Sequence, residues 1–390
     1  MNTKRAPKVR FKGFTDAWEQ RKLGEITNSY SGGTPSVGID EYYDGKIPFI
    51  RSGEINSEST EFFLTETGLN NSSAKMVNVG DILYALYGAT SGEVGVSRIC
   101  GAINQAILAI IPDNGYDTYF IMQWLRREKQ NIVSTYLQGG QGNLSGTIVK
   151  DLTIDFPNTY IEQEKIGGFF RNLDNLITLH QRKLDKMKEL RKAFLNLIFS
   201  QKLRFRGFDQ SWRKLKIEDC FSERVERSEK GELISVTVNF GIVKAHSLDR
   251  KDNSSENKSN YKIVRKDDIA YNSMRMWQGA SGISLYEGIL SPAYTVIIPK
   301  QGVSSLFFSY EFKLKKMLQT FQVNSQGLTS DTWNLKFPLL RNIVVEAPEY
   351  EEQEKVGIFF KKLDNLITHH QDKINQLTKL KTTFLKNMFI

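Results

Sequence analysis

Side chains that can recognise hydrogen-bonding edges gather in a few short polar segments of this chain. Asn and Gln carry a paired donor and acceptor and Arg carries a fork of donors, so these side chains can discriminate nucleic-acid bases. Residues 139–145 combine two amides with glycine, and residues 324–331 have the same character. The candidate contact residues are Arg51, Asn104, Gln105, Gln141, Asn143, Ser145, Arg275, Trp277, Gln278, Asn324, Gln326 and Thr329.

Each of these residues also has a purely structural interpretation. Gly-Asn and Gln-Gly pairs are ordinary turn sequences, and an arginine in a loop is usually solvated. The two polar loops before the last apolar run of each half, residues 139–145 and 324–331, are therefore stronger candidates as units than any single side chain in them.

Motifs for catalysis or metal binding are missing from the sequence. It has no Asn-Pro-Pro-Tyr segment of the adenine-methyltransferase kind, and no Gly-x-x-x-x-Gly-Lys phosphate loop. The four histidines form no His-Glu-x-x-His pattern, and Cys100 and Cys220 lack zinc-ligand spacing. We therefore expect no catalytic residue, no bound cofactor and no metal site in this chain, although an enzyme with unfamiliar motifs stays open.

Composition favours a protein with a polyanionic partner. The 390 residues suffice for two domains, and the net charge is +9. Residues 1–157 hold 15 basic and 17 acidic side chains, whereas residues 200–348 hold 23 and 16. Two cysteines suit a reducing compartment. Because neither a signal-peptide h-region nor a long apolar run is present, we expect a cytoplasmic protein without a membrane span.

An internal repeat organises the whole chain. Residues 162–199 match residues 352–389 at 20 of 38 positions, without a gap and with an offset of 190. A shorter repeat pairs the Phe-x-Gly-Phe of residues 11–14 with residues 205–208, and Trp18 with Trp212. The sequence therefore indicates a duplication in the order variable segment, repeat, variable segment, repeat.

The long repeats have the period of a helical seam. Apolar residues recur at alternating steps of four and three, which is typical of a coiled coil. Each helix of about 55 Å needs a partner to bury this stripe, and we expect the two to pack antiparallel about a pseudo-two-fold axis. The predicted interface residues are Ile166, Phe170, Leu173, Ile177, His180, Leu184, Val356, Phe360, Leu363, Ile367, His370 and Ile374.

His180 and His370 fall at the middle of their repeats, so we expect them to lie near each other at the dyad. A polar seam residue commonly fixes register, and this suffices to explain both.

The variable segments contain short apolar runs separated by Gly, Asn, Asp and Ser, which favour strands and turns. Each also contains one predicted helix, near residues 119–134 and 306–321. The fold class is therefore α+β, with two mixed-sheet domains separated by two long helices. The predicted boundaries are 1–157 (domain 1), 158–200 (helical spacer 1), 201–348 (domain 2) and 349–390 (helical spacer 2).

This arrangement resembles the specificity subunits of type I restriction–modification systems over nearly the full chain. The residues that carry the resemblance are the doubled Glu-Gln-x-Lys-(Ile/Val)-Gly leading into Phe-Phe and Leu-Asp, and the doubled Phe-x-Gly-Phe followed by Trp. In that family each variable domain is a target-recognition domain. The resemblance implies that each would bind one half of an asymmetric, bipartite site in double-stranded DNA through the major groove.

The resemblance also implies a set of partners. The helices would fix the spacer between the half-sites and dock two methyltransferase subunits, which supply S-adenosylmethionine binding. Restriction subunits, with ATP and Mg²⁺, would supply cleavage, so this chain would be non-catalytic. Two alternatives from other classes stay open: a coiled-coil scaffold without a DNA role, and a stand-alone DNA-modifying enzyme. Salt-sensitive, sequence-selective DNA binding would exclude the first, and activity of the purified chain alone would favour the second.

Overall fold

The computed structural model describes residues 5–137, 143–248 and 254–390. It divides into two units, Met1–Arg182 with Gln371–Ile390 (unit 1) and Lys183–His370 (unit 2). The division cuts both long helices. Each unit therefore combines one domain with the first part of the long helix that follows it and with the last part of the other long helix.

Short strands make up most of domain 1. In chain order they are Glu19–Lys22 (β1), Thr27–Ser31 (β2), Tyr43–Ile50 (β3), Phe62–Leu64 (β4), Lys75–Val77 (β5), Ile82–Ala85 (β6), Val94–Val96 (β7), Gly101–Ile103 (β8), Ile107–Pro112 (β9) and Thr153–Phe156 (β10). The helices of the first half are Leu23–Ile26 (α1), Glu66–Asn70 (α2), Thr118–Tyr136 (α3), Gly146–Asp151 (α4) and Tyr160–Phe199 (α5).

Two four-stranded sheets form the core of domain 1. One has the order β2-β9-β6-β7 and is antiparallel, and the other has the order β4-β3-β8-β5 and contains the parallel pair β3–β8. Every residue of β6 is buried. The side chain of Asp117 caps α3 by accepting a hydrogen bond from the backbone N–H of Phe120 (2.7 Å), and Phe120 is itself fully buried.

The second half has the same kind of elements. Its strands are Arg213–Lys216 (β11), Phe221–Glu223 (β12), Ile234–Thr237 (β13), Gly241–Lys244 (β14), Lys262–Val264 (β15), Ile269–Asn272 (β16), Ser281–Ile283 (β17), Gly288–Leu290 (β18), Tyr294–Pro299 (β19) and Val344–Ala347 (β20). Its helices are Ile217–Cys220 (α6), Ser305–Glu311 (α7), Lys315–Val323 (α8), Phe337–Leu340 (α9) and Tyr350–Met388 (α10).

The α+β fold class with two repeated domains and two long helices is confirmed. The central sheet of domain 2, β12-β19-β16-β17, repeats the order of the β2-β9-β6-β7 sheet of domain 1. Parallel pairing in domain 1 forms the β3–β8 ladder, whereas among the described residues of domain 2 it is an isolated bridge between Leu233 and Ile289. Within the part of the chain that the structure describes, no helix is long and apolar enough to cross a membrane.

The helix expected near residues 119–134 lies within α3, but the one expected near residues 306–321 is broken into α7 and α8. The helix is interrupted at residues 312–314, where Leu314 has an extended backbone (φ −68°, ψ 141°) and occupies the N-cap position of α8. The side chain of Lys313 turns away to donate hydrogen bonds to the backbone carbonyls of Gly279 and Val238. The apolar periodicity of the sequence gives no sign of these tertiary contacts, so it predicts one continuous helix.

Candidate nucleic-acid interface

The two polar segments of domain 2 are brought side by side. The segment after β16 forms a single 3₁₀ turn at Met276–Gln278, and the second segment, residues 324–334, connects α8 towards α9. The rings of Trp277 and Trp333 meet edge to face at 5.1 Å, and the N–H of Leu335 donates to the carbonyl of Ser273 (2.8 Å). The structure therefore joins two sequence-predicted clusters into one surface, which we call the domain 2 loop pair (residues 274–279 and 324–334).

The first of these loops carries an exposed arginine and a half-buried glutamine. Arg275 is exposed, and its Nη1 donates to Oε1 of Gln278 (3.3 Å). The indole N–H of Trp277 donates to the carbonyl of Met274 (3.1 Å), which fixes the ring against the loop. The turn ends at Gly279, whose φ of +85° favours glycine. Arg275 and Gln278 thus present a guanidinium and an amide together, the groups suited to purine edges.

The second loop is closed by its own hydrogen bonds. Gln326 and Asn334 exchange two backbone hydrogen bonds (3.0 and 2.7 Å), and the Thr332 hydroxyl bonds within the turn that starts at Thr329. The side-chain amide of Asn324 donates to the carbonyl of Thr320 (2.9 Å) at the end of α8. Asn324 therefore has a helix-capping role, whereas Gln326 and Thr329 are exposed on the loop.

A half-buried lysine supports the loop pair from behind. Lys313 Nζ donates to the carbonyls of Gly279 and of Val238 in the β13–β14 turn (3.2 Å for Val238). Burial lowers the pKa of Lys313 to about 8. Lys313 therefore ties the end of the first loop to the neighbouring hairpin.

Domain 1 has the corresponding arrangement in its described part. Tyr87, just after β6, forms an antiparallel bridge with Asn143, and the N–H of Leu144 donates to the carbonyl of Leu86 (2.9 Å). Ser145 accepts a hydrogen bond from the N–H of Ile148 (3.2 Å) and so caps α4, which is a structural role. Asn143 is exposed, and Gln141 lies outside the described residues.

The other domain 1 candidates lie on different segments. Arg51 is bound by the carboxylates of Glu54 and Glu61 and lies 4.4 Å from the centre of the Phe62 ring, so much of its donor capacity is used. Asn104 accepts a hydrogen bond from the N–H of Ala106 (3.1 Å). Gln105 is exposed and accepts one from the hydroxyl of Thr34 (2.6 Å).

The segment after β6 was missed as a candidate. Residues 81–97 align with residues 268–284 at a constant offset of 187, with Asp, Ile, Tyr, two Gly and Ser in common. This alignment places Tyr87 and Thr90 opposite Met274 and Trp277, and it places Gly92 (φ +80°) opposite Gly279. This offset of 187 differs from the offset of 190 between the two long repeats, so a search limited to the long repeats overlooks the shorter alignment.

The repeated Glu-Gln-x-Lys-(Ile/Val)-Gly motif attaches each long helix to its own domain. In unit 1 the buried Glu162 accepts two hydrogen bonds from Arg10 (2.7 Å each), and Gln163 accepts one from the N–H of Asp117 (3.1 Å). Lys165 lies over the ring of Phe14 at 5.0 Å. These contacts explain why the helix motif and the Phe-x-Gly-Phe segment are duplicated together.

Unit 2 repeats the same attachment with the equivalent residues of the second repeat. Glu352 binds Arg204 (3.0 and 2.5 Å), Gln353 accepts a hydrogen bond from the N–H of Ser304 (2.9 Å), and Lys355 lies 4.4 Å from the ring centre of Phe208. The glycine of the helix motif, Gly357, lies where a side chain would not fit, because a Cβ at this position would lie 2.9 Å from the side chain of Leu306.

In each unit the two helix segments pack antiparallel. In unit 1 Phe169 meets Phe384 (5.0 Å between ring centres), and Asp174 binds Lys381 (2.6 Å). Asp174 also accepts a hydrogen bond from the hydroxyl of Tyr119 (2.7 Å). Burial is the largest single influence on the pKa of Asp174 and acts to raise it. The Lys381 ammonium and the Arg126 guanidinium face the carboxylate and together outweigh burial, so the pKa is lowered.

The equivalent contacts of unit 2 join Phe359 to Phe194 (5.2 Å) and Asp364 to Arg191 (2.5 Å). The predicted interface residues are all at least half-buried, and their place in a seam between the two helices stays a prediction. Ile166, Phe170, Leu173, Leu184, Val356, Phe360 and His370 are buried, and Ile177, His180, Leu363, Ile367 and Ile374 are half-buried. That His180 and His370 lie close together stays a prediction.

The family model described as type I restriction modification DNA specificity domain matches residues 15–189 and again residues 212–379. The chain belongs to this family. The two matches together cover most of the sequence, and each contains one domain and most of one long helix. This chain is a specificity subunit of a type I restriction–modification system.

Individual relatives agree with that assignment. The type I restriction enzyme MjaVIII specificity subunit of Methanocaldococcus jannaschii is 21% identical over 393 residues, covering 93% of this chain and 90% of the relative. The EcoR124I/EcoR124II specificity subunit of Escherichia coli is 26% identical over 196 residues, 47% and 48% of the two chains. The crystal structure of an S subunit from M. genitalium has the same fold, with a TM-score of 0.69, 16% identity and 99% coverage of both chains.

Among the described residues, no group of three or more His, Cys, Asp or Glu side chains is placed to hold a metal ion. Cys220 is buried, and burial raises the pKa of its thiol to about 12. A thiol with so high a pKa is a poor nucleophile at neutral pH.

Proposed function

We propose that this specificity subunit binds an asymmetric, bipartite site in double-stranded DNA, with one half-site for each domain. Residues 1–157 and 201–348 are the two target-recognition domains, and residues 158–200 and 349–390 are the helical spacers. The domain 2 loop pair, and in domain 1 the segment after β6 together with the loop that holds Asn143, enter the major groove, where each base pair presents a distinct pattern of donors and acceptors.

The observation that carries this proposal is the recurrence of one loop arrangement in two domains of different sequence. In both, the segment after the central strand (β6 or β16) is bridged to a polar loop before the last strand, by Leu144 to Leu86 and by Leu335 to Ser273. The supporting sheet has the same strand order in both domains. A shared scaffold with different loop residues suits two surfaces that recognise different sequences.

Base discrimination in domain 2 belongs to polar side chains of its loop pair, chiefly the exposed Arg275 and Gln326 and the half-buried Gln278. In domain 1 the equivalent positions belong to Asn143 and to the Tyr87–Thr90 segment. Arg51, Asn104 and Ser145, whose polar groups are used inside the domain, have supporting roles. Lysines and backbone amides around the loops contact phosphates and set position without reading sequence.

The helical spacers hold the two domains at the separation of the half-sites and dock two methyltransferase subunits. A rigid pair of helices suits this role because half-sites near one helical turn apart require domains at a fixed distance, which a flexible linker would not keep. Catalysis belongs to the partners. The methyltransferase subunits bind S-adenosylmethionine, the restriction subunits use ATP and Mg²⁺, and this chain binds no cofactor of its own.

The test is to express this chain with its cognate methyltransferase in a host that lacks both, and to map methyladenine by sequencing the host genome. We expect a new split, asymmetric motif that disappears when this chain is omitted. A stable complex of the two proteins that creates no new motif would contradict the proposal and favour a scaffold without a DNA role.

A further inference from the structure

A leucine stands fully exposed at the tip of the second loop of domain 2. Leu328 has an exposed fraction of 101%, the largest of any large apolar side chain in the described part of the chain. Scattered apolar residues on a surface are ordinary. Leu328 differs because its neighbours are polar and because the loop that presents it is held in place.

The loop around Leu328 has little freedom. Gly327 has a φ of +139°, and a Cβ at this position would lie 2.6 Å from the carbonyl group of Thr332. The two sides of the loop therefore approach so closely that only glycine fits there. The paired backbone hydrogen bonds of Gln326 and Asn334 close the base of the loop, and the contact of Trp333 with Trp277 fixes it beside the first loop.

The chemistry beside Leu328 is that of a base-contacting surface. Gln326 and Thr329 flank it, and Arg275 and Gln278 belong to the adjoining loop. On the floor of the major groove the apolar group is the C5-methyl of thymine, and the other edge groups are donors and acceptors. A leucine placed over such a donor or acceptor would remove its water without replacing the hydrogen bond, which is unfavourable.

We infer that Leu328 contacts the methyl group of a thymine in the half-site bound by domain 2, and so determines specificity at that position. This inference rests on the proposed function, since it requires that domain 2 bind DNA through its loop pair. It adds a residue that a search for amide and guanidinium side chains does not find.

The experiment measures DNA binding by the full chain assembled with its cognate methyltransferase, using the motif obtained from methyladenine sequencing. Each thymine of the domain 2 half-site is replaced in turn by deoxyuridine, which removes only the methyl group. We expect one replacement to weaken binding by roughly fourfold, the effect of one buried methyl-sized group. In Leu328→Ala the thymine and deoxyuridine sites should bind equally.

Two controls separate this contact from a general loss of structure. Val323→Ala removes another highly exposed apolar side chain, at the end of α8, and should keep the full thymine preference. Deoxyuridine in the domain 1 half-site should have the same effect on the wild type and on Leu328→Ala.

The inference is overturned if the thymine preference persists undiminished in Leu328→Ala, or if no thymine of that half-site shows a methyl dependence. If the wild-type complex binds DNA without any sequence preference, the proposed function itself fails and the inference falls with it.

Discussion

At the scale of single residues, polar groups in this protein fall into two sets. One set is used internally: Arg51 binds two carboxylates, and Ser145 and Asn324 complete helix ends. The other set, which includes Arg275 and Gln326, is exposed on the domain 2 loop pair. A residue type alone does not distinguish these sets, because an arginine suited to guanine is equally suited to a carboxylate.

A buried carboxyl group gives domain 2 a pH-dependent stability. Glu311 is 5% exposed, its Oε1 accepts a long hydrogen bond from the N–H of Glu346 (3.4 Å), and its Oε2 has no hydrogen-bond partner among the described residues. Burial raises the pKa of Glu311 from 4.5 to about 8. Between these values the folded protein retains a proton that the unfolded chain releases.

Stability should therefore fall as pH rises from about 4.5 to 8, because the folded state binds the extra proton in this window. We expect Glu311→Gln, which stays neutral, to remove this dependence and to stabilise unit 2 at pH 8 by on the order of 2–4 kcal/mol. Calorimetric melting of the full chain at several pH values measures this pH dependence of stability in the wild type and in Glu311→Gln. Glu229→Gln, at an exposed site, is the control. Identical pH profiles of the wild type and Glu311→Gln would contradict this account.

Sequence reasoning identified the amides of the polar loops but not all the residues around them. Gln326 and Arg275 can be predicted as candidates because their side chains have obvious donors and acceptors. Tyr87 and Leu328 cannot, since their place beside the loops follows from the Tyr87–Asn143 bridge and from the tight turn at Gly327. Contacts between segments distant in sequence determine these positions, and the offset of 187 points to the segment of Tyr87 but not to that of Leu328.

At the scale of elements, the long helices were the most predictable part of the molecule. Their period and length follow from apolar residues at regular steps, and the helices span Tyr160–Phe199 and Tyr350–Met388. The break between α7 and α8 is not predictable from periodicity, and at this break the side chain of Lys313 makes hydrogen bonds with two other segments.

Aromatic packing between helix and domain should dominate the stability of each unit. Phe360 is fully buried and contacts Phe199 (6.1 Å between ring centres) and Tyr310 (5.2 Å). We expect Phe360→Ala to lower the free energy of unfolding by about 3–5 kcal/mol, the usual cost of deleting a buried phenylalanine ring. Chemical denaturation of the full chain measures this loss.

The matched control for that variant is Leu366→Ala on the same helix, where the side chain is 47% exposed. It should change the free energy of unfolding by much less. Equal losses in the two variants would contradict the assignment of the buried face.

At the scale of the whole molecule, the chain is a duplication in which the attachment of each domain is kept and the loops differ. Glu162 with Arg10 and Glu352 with Arg204 perform one attachment twice. The segments after β6 and β16, in contrast, carry different side chains at matching positions, with Tyr87 and Thr90 opposite Met274 and Trp277. This division predicts that recognition is modular, because a domain exchanged at its attachment would bring its own loops with it.

The most direct measurement of this central claim is a domain exchange. Residues 205–345 are replaced by the corresponding domain of another specificity subunit, and the methyladenine motif is mapped with the same methyltransferase. We predict that one half of the split motif changes while the other half stays as in the wild type. A motif in which both halves change, or in which neither changes, would contradict the account.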